Sequence, residues 1–162
     1  MEQQSLRTDD CLESVVKAYS NLIYRLAFSQ TRNKSDADDI YQEVFFRYIR
    51  KAPQFETEKH KKAWFIRVTV NCCKKMWASS WRKKIVPLDE AIVFETKEET
   101  DLHYELRKLP KKYRAVIHLF YYEDLSIEEI SEALNKKPST IRTQLTRARY
   151  KLKEILKEDY DV

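Results

Sequence analysis

The chain of 162 residues is 35% charged and 43% hydrophobic, has a formal net charge of +5, and contains no glycine. Average usage supplies glycine at about 7%, and its absence excludes Gly-rich phosphate loops, dinucleotide-binding turns and Gly-dependent nucleophile elbows. It also removes the favoured residue of tight hairpins, so the expected fold class is all-α, with helices joined by short polar turns.

No run of 18 apolar residues is present and the opening MEQQSLRTDD lacks a secretory pattern, so a soluble, cytoplasmic protein that is not membrane-inserted is expected. Cys11, Cys72 and Cys73 lack CxxC spacing, and His60, His103 and His118 are scattered. Buried reduced thiols are expected rather than disulfides or a zinc site.

From Cys11 to Phe28, Leu12, Val15, Val16, Tyr19, Leu22, Ile23, Leu26 and Ala27 recur at helical spacing. Ser35 then suits a helix N-cap, with Asp36, Asp38 and Asp39 at the positive end of the helix dipole. Ile40, Val44, Phe45 and Tyr48 form the buried stripe of this second helix, and Pro53 ends it. The polar stretch ETEKHKK reads as a loop. A third helix from about Ala63 carries Phe65 or Ile66, Val70, Cys73 and Trp77 and ends in SSWRKK. Residues 51–84 hold ten Lys or Arg against Glu56 and Glu58, a net +8.

Residues 85–101 reverse the sign, with six acids against Lys97, and include Pro87 without periodicity. A flexible acidic linker over residues 85–100 is expected, separating two small helical domains over 1–84 and 101–162. The second domain opens with Leu102, Leu106 and Leu109 before Pro110, followed by an apolar helix carrying Tyr113, Val116, Ile117 and Phe120.

Residues 122–152 hold the sharpest local pattern. Ser126 and Glu129 form a capping box, and Ile127, Ile130 and Leu134 share one face. Asn135-Lys136-Lys137-Pro138 is a short turn, and Ser139 or Thr140 caps a last helix with Ile141, Leu145, Ala148 and Leu152 inward. Two helices joined in this way make a helix-turn-helix, whose second helix enters the major groove. Its outward Thr140, Arg142, Thr143, Thr146 and Arg147 offer hydroxyls and guanidinium groups to phosphates and base edges. Residues 133–157 carry a net +7, a second basic zone suited to a polyanion. A plain helical hairpin with a basic outer face is the simpler alternative.

The segment from Leu109 to Leu152 resembles region four of the extracytoplasmic-function sigma factors of bacterial RNA polymerase. Leu109, Pro110 and Arg114 match its L-P-x-x-x-R. Glu129 and Ile130 match its E-I-A, and Thr140, Ile141, Leu145, Arg147, Ala148 and Arg149 match its closing motif. Region two is resembled by Asp36-Ala37-Asp38-Asp39-Ile40-Tyr41-Gln42-Glu43-Val44-Phe45, and by Trp64, Ile66 and Asn71. Ser131 stands where the family usually has Ala, Lys75 where it often has an acid, and Asp124 and Asn135 where glycine is common.

The resemblance implies a transcription initiation factor that binds the β and β′ subunits of core RNA polymerase and promoter DNA, with no catalytic residues, cofactor, metal or small-molecule substrate. Asp39, Gln42 and Glu43 are implied to contact polymerase. Lys59, His60, Lys61 and Lys62, in a base-capturing loop, and Arg67, Asn71, Lys74 and Lys75 are implied to read the minus-ten element. Lys136, Lys137, Ser139, Thr140, Arg142, Thr143, Thr146 and Arg147 fall to the minus-thirty-five element, and an anti-sigma factor is an implied partner. Trp64 suits either core packing or DNA contact. Asp36, Asp39 and Glu43 taken alone resemble metal ligands, but no histidine or distant carboxylate cluster accompanies them. The competing reading is a stand-alone helix-turn-helix regulator with an N-terminal dimerisation or sensing domain.

Overall fold

The structure, a computed structural model, describes residues 2–79 and 105–160, with side chains over 12–79 and 105–158. The expected linker over 85–100, the Asp101 helix start with Leu102, and residues 80–84 lie outside the described residues. In chain order the helices are α1 (Glu2–Thr31), α2 (Lys34–Lys51), α3 (Glu58–Ala78), α4 (Lys111–Ile117), α5 (Ile127–Leu134) and α6 (Pro138–Tyr160), and a π-helical turn, His118–Tyr122, continues α4.

The stripe on α1 is buried at Val15, Tyr19, Leu22, Ile23, Leu26 and Ala27. It packs against α2 through Ile40, Val44 and Phe45, and against α3 through Phe65, Ile66 and Val70. Both alternatives for the α3 stripe, Phe65 and Ile66, are buried, because Phe65 meets Tyr19 on α1 at 4.8 Å while Tyr48 on α2 flanks it at 5.2 Å. Cys72 and Cys73 are free and buried, and burial raises both thiol pKa values, that of Cys73 to about 12.

Three helix starts differ from expectation. Asn33, not Ser35, caps α2: its Oδ1 accepts from the Asp36 amide at 3.0 Å. Thr57 opens α3 six residues before Ala63, its hydroxyl accepting from the His60 amide at 3.2 Å, and Glu58 in the first turn accepts from the Tyr19 hydroxyl at 2.8 Å. Lys59, His60, Lys61 and Lys62 are therefore helical rather than in a loop. Pro138 is the first residue of α6, since a proline there lacks only an N–H that would have no helical partner, so Ser139 and Thr140 lie within the first turn and do not cap it.

In the second half, Leu106, Leu109, Tyr113, Val116, Ile117 and Leu119 are buried with Ile130, Ala133, Ile141, Leu145 and Ala148. Leu119 is buried more fully than Phe120, because the π turn widens the helix at His118 and rotates the following side chains. The buried side chains of both halves form one contiguous cluster, with α3 against α5 and α1 against α4.

Candidate nucleic-acid interface

The helix-turn-helix is α5, the turn and α6. Ser126 Oγ accepts from the Glu129 amide while Glu129 accepts from the Ser126 amide, both at 3.1 Å, so the expected capping box is present. The turn rests on Asn135, left-handed at φ 55 and ψ 50, and the Lys136 amide donates to Ser131 O at 3.0 Å. Ser131 Oγ donates to Lys136 O, so the serine in the usual alanine position braces this turn. Both Asp124 and Asn135, the two places where the family commonly has glycine, hold positive φ.

On α6, Ile141, Leu145 and Ala148 point inward, leaving Thr140, Arg142, Thr143, Thr146 and Arg147 exposed along one face. Ser139 and Lys137 are exposed beside the helix start, and Lys136 is half-buried. The Thr143 and Thr146 hydroxyls donate to the carbonyls four residues back, each at 2.9 Å, which holds them at the surface in defined rotamers. Arg149 is committed elsewhere: its Nε donates to the Tyr121 hydroxyl at 2.7 Å.

The α3 residues expected at the minus-ten element are not all free. Lys59, Asn71, Lys74 and Lys75 are exposed, and Lys61 and Lys62 half-buried. Arg67 donates from Nη2 to Glu132 O at 2.6 Å and from Nε to Ala133 O at 3.1 Å, placing a guanidinium on the carbonyl end of α5 where the helix dipole is negative. His60 Nε2 lies 3.2 Å from Glu132 Oε1. Trp64 is a packing residue, edge-on to Tyr48, Phe55 and Phe65 at 6.0, 5.9 and 5.1 Å.

Two further contacts join the halves, across 84 and 98 residues of chain; a motif marks Arg114 but not its partner, and nothing in the pattern marks the other pair. Arg114 is buried and donates from Nη2 to Gln30 O at 3.3 Å, near the end of α1; burial and the nearby Arg32 lower its pKa to about 10. Arg25 on α1 forks onto Glu123 at 2.8 and 3.1 Å. His118 Nε2 stands 3.6 Å from the same carboxylate. Burial pushes the Glu123 pKa up, but His118 and Arg25 outweigh it and hold the carboxyl below its ordinary value.

On α2, Asp39 and Gln42 are exposed and Glu43 half-exposed, on the side turned from Ile40 and Val44. Glu43 pairs with Arg47 at 2.9 Å. Phe46 and Ile49, more than half exposed, continue this face; their spacing of four and seven residues from Gln42 was the available signal.

The fold and these surfaces define a helical DNA-reading protein in which a helix-turn-helix is joined to a three-helix unit carrying a second basic helix. Family comparisons assign both parts: residues 15–83 match sigma-70 region 2 and residues 100–152 match sigma-70 region 4. RNA polymerase sigma factor SigV of Bacillus subtilis is 31% identical over 159 residues, covering 94% of this chain and 95% of that protein. ECF RNA polymerase sigma factor SigW of the same organism is 28% identical, covering 92% and 90%. The sigma factor RpoE of Bartonella quintana, solved with the anti-sigma factor NepR, superposes with a TM-score of 0.76 at 20% identity, covering 90% of this chain and 96% of that one.

The chain belongs to the sigma-70 family, in its extracytoplasmic-function group. It is a transcription initiation factor that directs core RNA polymerase to promoters. A stand-alone regulator accounts for the helix-turn-helix but not for the region 2 match. Among the described residues no helix is long and apolar enough to cross a membrane.

Proposed function

We propose that three surfaces divide the work of promoter recognition, and that the chain acts in the cytoplasm without catalysing a reaction itself. Asp39, Gln42 and Glu43 dock on polymerase, with Phe46 and Ile49 as apolar anchors beside them. Lys59, His60, Lys61, Lys62, Arg67, Asn71, Lys74 and Lys75 engage the minus-ten strand, where a basic track with polar pockets offsets the cost of unstacking bases. Lys136, Lys137, Ser139, Thr140, Arg142, Thr143, Thr146 and Arg147 engage the minus-thirty-five duplex. Residues 1–84 and 101–162 work as separate domains on promoter DNA, with 85–100 as their tether. An anti-sigma factor is the expected regulator, since the RpoE relative is solved with one.

The observation that carries this reading is the exposed Thr140, Arg142, Thr143, Thr146 and Arg147 face of α6 in a chain that also carries region 2. With α5 seated on α3, Arg67 and His60 are engaged within the chain, so minus-ten reading requires α5 to leave α3. The test is in vitro transcription with purified core polymerase and a promoter library. Sequence-selective initiation by the wild-type chain, with loss of core binding in Asp39→Ala/Gln42→Ala, is expected. Undiminished core binding by that double variant would move the docking surface elsewhere.

A further inference from the structure

Between the second half of α3, the first turn of α4 and the α5–α6 turn lies a cleft of about 310 Å³. Five cations line it: Arg67 and Lys74 from α3, Lys111 and Lys112 from α4, and Lys136 from the turn. No carboxylate among the described residues does. Gathering like charges is unfavourable unless a counter-charge joins them. The strain registers at Lys136, whose ammonium is held below its ordinary pKa by burial and then by Lys74 and Lys112.

Two donors in the same wall have no hydrogen-bond partner among the described residues. Gln30 is 4% exposed and lines the cleft, yet its amide Nε2 is unpaired, and so is the indole Nε1 of Trp77. A buried donor left unpaired is costly, and paired with a ligand oxygen that cost is recovered. Excess positive charge, unpaired donors and this volume together describe a site for a compact, multiply charged oxyanion.

We propose that this cleft binds the diphosphate group of a small molecule, with Lys74, Lys112 and Lys136 on the phosphate oxygens and the Gln30 amide as the buried donor. Inorganic pyrophosphate and a nucleoside diphosphate share that chemistry. The lining comes from both halves of the chain, so the ligand binds only while α5 rests on α3. By linkage it favours the closed arrangement and opposes DNA binding. This goes beyond promoter direction, and direct binding tests it independently of transcription.

The experiment is calorimetric titration of the full chain at constant ionic strength with pyrophosphate, ADP, GDP and orthophosphate. Pyrophosphate or a nucleoside diphosphate is expected to bind one to one and orthophosphate about tenfold more weakly, since it forms fewer charge-assisted contacts. Whether pyrophosphate or a nucleotide binds more tightly identifies the source. Lys112→Gln and Gln30→Leu each remove a ligand contact and should weaken binding several-fold, while Lys17→Gln on the far part of α1 leaves it unchanged. Gln30→Leu is checked by its melting temperature, and Lys112→Gln, on an exposed residue, keeps the test valid if Gln30→Leu does not fold. Equal weakening by Lys17→Gln, or equal affinity for orthophosphate, would mean a diffuse basic surface and overturn the proposal. So would failure of every diphosphate to bind or to displace a single-stranded oligonucleotide that these substitutions release, since the cleft would then belong to the DNA surface.

Discussion

Breaking the Arg25–Glu123 contact tests whether seating α5 on α3 restrains DNA binding. Neither residue belongs to the proposed DNA or polymerase surfaces, yet their fork joins α1 to the segment that leads into the helix-turn-helix. The Glu123 side chain is 5% exposed and that of Arg25 54%, so the pair falls between an exposed ion pair and buried charged hydrogen bonds. Its loss should cost the closed arrangement about 1–2 kcal/mol, a five- to thirty-fold rise in the open-to-closed ratio. Where the closed form dominates, apparent affinity for single-stranded minus-ten DNA rises by the same factor. Fluorescence anisotropy at fixed salt measures it. Arg25→Ala lowers the net charge by one and Glu123→Gln raises it by one, so long-range electrostatics alone would move their affinities in opposite directions. Opening moves both upward. Opposite shifts, or no shift in either, would refute the reasoning.

The Glu123 carboxyl sits below its ordinary value in the folded chain, so its ionised form contributes stability that is fully present above the unfolded carboxyl value of about 4.5 and is lost as pH falls through the folded one. Thermal unfolding between pH 6 and about 3 should therefore show a steeper acid loss in the wild type than in Glu123→Gln, and parallel curves would contradict the assignment. At the turn, Asn135→Gly should unfold within about 1 kcal/mol of wild type whereas Asn135→Val loses more, because a β-branched side chain does not fit φ 55. Replacing Arg142 and Arg147 together should remove discrimination at the upstream promoter element, with about 1–3 kcal/mol lost for each base-edge contact. Retained discrimination in a footprinting assay places the reading face elsewhere.

Local chemistry made much of this fold legible. The Ser126–Glu129 box and the Asn135 turn depend on residues within five positions of one another, the α6 stripe on successive neighbours three or four apart, and all three are present. Helix starts depart from the sequence pattern where a competing cap lies one or two residues away, as with Asn33 against Ser35, or where a tertiary bond such as Tyr19 to Glu58 supports an early turn. The exposed α6 face followed from period alone. The engagement of Arg67 by the α5 carbonyls did not: it joins positions 65 and 66 residues apart through backbone oxygens that carry no sequence signature. Arg114 is similar, since the motif marked the residue and only the fold shows its burial beside the end of α1.

Arg32, Ala52, Asp124 and Asn135 all adopt left-handed backbone, and each is an L-residue with a Cβ. Ala52, at φ 41 after α2, has no polar side chain to offset that cost. The folded chain therefore stops short of the stability its own topology permits. Ala52→Gly relieves strain without touching a proposed DNA- or polymerase-facing group, which gives directed evolution a margin against which to select new promoter specificities that would otherwise unfold the protein.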